Sequence, residues 1–197
     1  MKTYVATKNP GKLAELEAIF HGRHLSLETY GEYVDVAEGA DGYVDNARLK
    51  AHALMAQLRE ARIDAAVIAD DSGLEVDALD GRPGVLSARY AGTDATWPQR
   101  RAALLEELRD VPAVERGAHF VSVLVLVFPT GEEIIAEGVV DGRITTHEDG
   151  GHGFGYDPIF YYPPSHRTFA QMTAEEKNRV SHRRRAADAL LEALRTK

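Results

Sequence analysis

The sequence predicts an α/β protein with a mixed β-sheet, and three observations point there. Strand-like and helix-like segments alternate through the first half of the chain. Residues 120–128 (FVSVLVLVF) are apolar at almost every position, as befits a central strand buried on both faces. A Pro129-Thr130-Gly131 turn then returns the chain into a partner strand over residues 133–140.

The elements follow in order. Residues 3–6 make a short strand entering a helix, with Asn9 suited to the N-cap and Pro10 to the first helical position. Leu13, Leu16, Ile19 and Phe20 share one face of that helix. A second helix is predicted over 42–61, with Ala47, Ala51, Leu54, Met55 and Leu58 buried. Residues 66–69 form a buried strand ending at Asp70 and Asp71, where Asp-Ser-Gly reads as a turn, and residues 74–76 begin another strand. A turn at 81–84, a third helix over 96–108 and a glycine-rich loop at 150–155 follow. A last helix covers 178–194, with Ala186, Ala187, Leu190, Ala193 and Leu194 facing inward.

The 197 residues suit one domain, 1–197, and 44% hydrophobic content excludes a mainly disordered chain. The formal charge of −8 disfavours a surface that grips nucleic-acid phosphates, although residues 177–197 carry seven Lys/Arg against two Asp/Glu. Cysteine is absent, which excludes disulfides and thiolate chemistry. No secretory leader is visible, and the longest apolar run is far shorter than the ~20 residues of a membrane helix. The expectation is a soluble cytoplasmic protein with neither membrane nor nucleic-acid partners.

Five stretches carry polar chemistry, and each has an ordinary structural reading beside the functional one. Thr7-Lys8-Asn9-Pro10-Gly11-Lys12 stands at a strand-to-helix junction, where free N–H groups and the helix dipole attract an anion; taken alone, a capped helix with a solvated lysine is the favoured reading. Asn46 and Lys50 are neighbours on the second helix, or merely its polar border. Asp70 and Asp71 are costly if buried and unpaired, and would be stabilised by a cation such as magnesium, with Glu38 as a companion ligand. In Gly151-His152-Gly153-Phe154-Gly155-Tyr156-Asp157, glycines permit close backbone approach, the two rings offer stacking faces and Asp157 could orient a donor on a base. With Ser181 as a cap, His182 and Arg183 occupy a first helical turn, where cations oppose the dipole unless an acceptor-rich ligand compensates. His21 with His24, and His147 with His152, form no recognisable metal motif.

Taken together and in order, these stretches resemble the inosine/xanthosine triphosphate pyrophosphatase family. The family's T-x-N-x-x-K-x-x-E opening is present as Thr7, Asn9, Lys12 and Glu15, and E-N-A-x-x-K-A as DNARLKA at 45–51. Its aspartate motif is present as DDSGLEVDALDGRPG at 70–84, followed by SARYAG at 87–92. G-F-G-Y-D-P-x-F is complete at 153–160, and K-N-x-x-S-H-R at 177–183. Departures are Asp45 for the usual Glu, Ala37 for the first of two adjacent acids, Gln171 for Glu and Arg184 for Gly.

The resemblance implies a long mixed sheet flanked by helices, in two lobes with an active-site cleft between them. It also implies a homodimer and a magnesium-dependent conversion of ITP, dITP and XTP to the monophosphate and pyrophosphate. By position, it makes Asp71 the general base and places Glu38 and Asp71 at the metal. It gives Thr7, Lys8, Asn9, Pro10, Gly11, Lys12, Lys50 and Ser72 to the triphosphate. Phe154, Gly155, Tyr156, Asp157, Lys177, His182 and Arg183 bind the nucleotide and read its base. A pyrophosphatase for other aberrant nucleotides, or a non-catalytic nucleotide-binding module, are the competing readings.

Overall fold

The structure is a computed structural model that describes every residue except Glu38, Ala40, Asp41 and Lys197. The expectation placed on Glu38 therefore lies outside the described residues. The elements run β1 (Lys2–Val5), α1 (Pro10–Phe20), β2 (Ser26–Glu28), α2 (Tyr43–Glu60), β3 (Ala66–Val76), β4 (Pro83–Gly84), α3 (Trp97–Glu107), β5 (Gly117–Val127), β6 (Glu133–Ile144), β7 (Phe160–Tyr162), β8 (Arg167–Thr168), α4 (Ala174–Val180) and α5 (His182–Arg195). The strands form one sheet in the order β2-β1-β3-β5-β6-β7-β8, with β4 paired to β3. β1 lies parallel to β2 and β3, while β3–β4, β6–β7 and β7–β8 are antiparallel, so the sheet is mixed as the sequence predicts.

The short strands β2, β4, β7 and β8 are not among the expected elements, and two expected elements differ. The break predicted at 70–73 is absent, and β3 is one strand of 11 residues. Asp70 and Asp71 find buried partners on opposite faces of the strand, so their polarity does not end it. The single helix predicted over 178–194 is two helices, because Ser181 is extended (φ −65, ψ 162) between α4 and α5. The N-terminus of α4 is fixed by a capping box between Thr173 and Glu176.

The chain divides into two compact units. The first contains Met1–Asp71, Ser122–Gly138 and His182–Lys197, and the second contains Ser72–Val121 and Val139–Ser181. In the first unit, strand alternation separates two cores. Val5, Ile68 and Leu124 pack with Leu16, Phe20, Ala187 and Leu190 of α1 and α5. Ala6, Val67, Ala69 and Val123 turn the other way, onto Ala51, Leu54 and Leu58 of α2. In the second unit, Phe120 stacks parallel to Phe169 at 5.9 Å and meets Phe160 at 4.4 Å.

Gly138 on β6 seats α5. A Cβ there would lie 2.2 Å from Ala186 N and 2.3 Å from His182 O, so glycine permits the first turn of α5 to pack directly on the strand. Gly138→Ala is expected to cost about 1–3 kcal/mol, because the obstacle is backbone; urea unfolding checks this.

His119 on β5 links two acids in the second unit. Its Nδ1 lies 2.9 Å from Asp141 Oδ1 and its Nε2 lies 2.9 Å from Asp77 Oδ1. Both nitrogens can donate only in the imidazolium form. Partial burial opposes that charge, but the hydrogen bonds to Asp141 and Asp77 outweigh it and raise the pKa above the ordinary 6.5. The resulting stability is fully present below pH 6.5 and is lost as pH rises through the folded-state value. His119→Gln should therefore flatten the decline in urea midpoint as pH rises above 6.5.

Candidate active site

The first unit's polar centre lies just past the end of β1. β1 pairs with β3 through Val5 opposite Ile68, and Ala6 N donates to Ile68 O at 2.8 Å. The chain then leaves the sheet to start α1 at Pro10. The next β3 carbonyl on that side belongs to Asp70. Two ammonium groups occupy the place that a continuing β1 would fill: Lys50 Nζ donates to Asp70 O at 2.8 Å and Lys12 Nζ at 3.5 Å. Ligands of open α/β sheets collect at such carboxyl ends of parallel strands.

Asp70 and Asp71 are successive strand residues, so their side chains leave on opposite faces. Asp71 turns toward α2, where Oδ1 accepts from Lys50 Nζ at 2.9 Å and Oδ2 from Asn46 Nδ2 at 3.2 Å. Asp70 turns toward α1 and α5. Its Oδ2 pairs with Lys12 Nζ at 2.9 Å and Arg183 Nε at 3.4 Å, and its Oδ1 accepts from Ser122 Oγ at 2.6 Å. Burial alone would raise the Asp70 pKa, but Lys12, Arg183 and the Ser122 hydroxyl outweigh it and hold the carboxyl well below the carboxylate range. Burial, with the charges of Lys50 and Arg183, lowers Lys12 from its ordinary 10.5, against the pull of Asp70. The two acids read as one cation site are thus two sites, and Asp70 is committed to protein cations.

Arg183 also reaches Glu15 Oε2 at 2.7 Å and is 3% exposed. The compensation expected from a ligand for a cation in the first turn of α5 is supplied here by Glu15 and Asp70. His182 is buried beside it. At the start of α1 the expectation of free N–H groups needs a similar correction. Asn9 Oδ1 accepts from Gly11 N at 2.9 Å and Lys12 N at 3.2 Å, Leu13 N bonds Asn9 O, and Pro10 has no N–H. The junction's side-chain donors toward a ligand are the half-buried Thr7 and Lys12 and the exposed Lys8.

The second unit holds the glycine-loop residues. Asp157 is 1% exposed, and its Oδ2 accepts from Phe154 N at 2.8 Å and from Lys177 Nζ at 2.5 Å. Lys177 lies over the half-buried Phe154 ring, 4.9 Å from its centroid. Gly155 O accepts from Arg101 Nη1 at 2.9 Å. Tyr156 is 2% exposed, donates to Ser87 O at 3.0 Å and meets Trp97 edge-on at 5.5 Å. Its predicted role as an open stacking face is corrected: the ring is core, and burial raises its hydroxyl pKa. Phe154 is the loop's remaining stacking surface. Ser72, half-buried on β3, is the chain neighbour of Asp71.

Sequence reasoning passed over Ser122 and gave no task to Asn46 or Glu15. The signal for Ser122 was present, since it is the one polar side chain between Phe120 and Val127.

Among the described residues no three His, Cys, Asp or Glu side chains cluster as a metal site. Asp71 nonetheless fits magnesium by its chemistry. It presents hard carboxylate oxygens beside Lys50, and magnesium is commonly held by one or two carboxylates together with substrate phosphates. Asp45 is exposed on the first turn of α2.

These features define an open, mixed α/β protein with a cluster of cations at the carboxyl end of β1, suited to an anion. The chain belongs to the Ham1 family, whose model matches residues 3–193. It is 46% identical over 192 residues to a dITP/XTP pyrophosphatase of Shouchella clausii, covering 96% of this chain and 94% of that one. It is 47% identical over 196 residues to a dITP/XTP pyrophosphatase of Thermus thermophilus, covering 98% and 91%. Among solved structures, a HAM1 protein from Coxiella burnetii matches all of both chains with a TM-score of 0.87 and 35% identity.

Removing the partner of a buried charge costs about 3–5 kcal/mol. Lys177→Met, which takes the ammonium away from the buried Asp157 carboxylate, is expected to lose stability of that order in urea unfolding.

Proposed function

We propose that this protein hydrolyses the non-standard purine nucleoside triphosphates ITP, dITP and XTP to the monophosphate and pyrophosphate, with magnesium. The observation that carries the reading is the Asp71 carboxylate bonded to Lys50 at 2.9 Å, with Lys12 and Lys50 both turned onto the Asp70 carbonyl. Its setting is a chain close in sequence to proteins named dITP/XTP pyrophosphatases.

Roles follow from position. Lys12 and Lys50, with Thr7, Lys8, Asn9 and Ser72, hold the triphosphate. Their charge offsets what builds on pyrophosphate as it leaves. Asp71 accepts the proton of a water that attacks the α-phosphorus in line. Lys50 and Asn46 fix its carboxylate for that task. Magnesium, held by Asp71 and Glu38, would supply neutralisation of phosphate oxygens when bound. Phe154 offers a ring to the base, and Lys177, His182 and Arg183 supply donors. Donors suit the 6-oxo group of hypoxanthine and xanthine, whereas adenine's amine would leave a donor unpaired. By the same resemblance the protein acts as a homodimer, and its length and lack of cysteine suit a single-domain enzyme of the cytoplasm. No described helix is long and apolar enough to cross a membrane.

A panel of ITP, dITP, XTP, GTP and ATP with magnesium and pyrophosphate detection tests the reading. Pyrophosphate from the first three, well ahead of ATP, is expected; single-phosphate release or equal rates on all would refute it. Asp71→Asn should lower kcat by about 10²–10⁴-fold with the fold retained by circular dichroism.

A further inference from the structure

Asp70 has no task in that mechanism, yet its surroundings are built with care. The residue is 1% exposed, and both carboxylate oxygens hold donors: Ser122 on Oδ1, Lys12 and Arg183 on Oδ2. Ser122 is fully buried among apolar neighbours on β5, where a hydroxyl is costly unless bonded. Its bond goes to Asp70, 52 residues away in the chain. The Asp70 backbone carbonyl meanwhile receives Lys50 at 2.8 Å and Lys12 at 3.5 Å. One residue thus touches both ammonium groups, Lys12 through carboxylate and carbonyl and Lys50 through the carbonyl. Its side chain lies on the sheet face opposite that of Asp71.

We propose that Asp70, oriented by the Ser122 hydroxyl, is a positioning residue that sets the placement of the Lys12 and Lys50 ammonium groups for the triphosphate, and is not a ligand of the metal. The inference rests on the functional reading above for its ligand. Asp70 supplies the counter-charge that lets Lys12 and Arg183 share a buried space, while Lys12, at 15% side-chain exposure, keeps access to a ligand. A looser Asp70 carboxylate would let Lys12 move, and phosphate binding would weaken before the attack on phosphorus slowed.

The test uses inorganic tripolyphosphate, which engages the phosphate-binding groups alone, and IMP, which lacks the β- and γ-phosphates. Binding of each is measured by calorimetry beside steady-state turnover of ITP. Ser122→Ala should weaken tripolyphosphate about 3- to 10-fold, on the scale of one hydrogen bond, raise KM equally and leave kcat and IMP binding near wild type. Ser122→Thr, which restores the hydroxyl, should recover tripolyphosphate binding. Asp70→Asn, if folded, should move the same quantities further and leave the magnesium concentration for half-activation unchanged. Unaltered tripolyphosphate binding in Ser122→Ala, no recovery in Ser122→Thr, or a shifted magnesium requirement in Asp70→Asn would each overturn the proposal. A wild-type protein that binds tripolyphosphate but releases no pyrophosphate would refute the functional reading alone, since the binding comparison stands without turnover.

Discussion

A carboxylate buried to 1% exposure must be compensated or protonated, and the first unit is arranged around that requirement at Asp70. Its compensation comes from α1 through Lys12, from α5 through Arg183 and from β5 through Ser122. α2 joins through Lys50, which binds the same residue's carbonyl. Packing of apolar side chains brings these elements to the sheet, but it fixes neither the rotation of a helix nor the reach of a long side chain. Directional bonds to one fixed point do so, and the alternation of β3 then delivers Asp71, one residue on, to the other face.

The same centre explains why overall charge is a poor guide to the ligand. Lys12, Lys50 and Arg183 are matched by Asp70, Asp71 and Glu15, in contact or one bond removed. The formal −8 of the chain is spread elsewhere. A magnesium–triphosphate substrate would bring cation and anion together, so such a balanced centre could accept it without large net charging.

The parts of the fold legible in the sequence are those governed by local chemistry. Asn9 and Pro10 announced α1, and the apolar positions of α2 and the doubly apolar β5 were evident from their spacing. The misread segments depend on distant partners. Asp-Asp-Ser-Gly favours a turn when considered locally, whereas the neighbouring strands and the partners Lys12, Asn46, Lys50, Ser122 and Arg183 hold it as strand. Two- and three-residue strands such as β2, β7 and β8 are too short to show a period. In the site, the order of motifs brought Asp71, Lys12 and Lys50 to notice. It could not separate a ring that faces a ligand from one that fills a core, so Tyr156 and Phe154 looked alike until Trp97 and Ser87 were seen to occupy Tyr156.

Seating α5 against Gly138 also has a consequence in time. Arg183 comes from a helix that reaches the sheet only after residues 182–195 exist, whereas Glu15 lies 168 residues earlier and Asp70 113 residues earlier. At typical rates of synthesis, Asp70 leaves the peptidyl-transferase centre on the order of ten seconds before Arg183. During that interval the nascent first unit carries acids without this counter-ion and, on its α1 side, apolar surface that α5 will later cover. Such a chain tempers translation speed against exposure, and the stretch before α5 arrives is where a holdase would have most to shield.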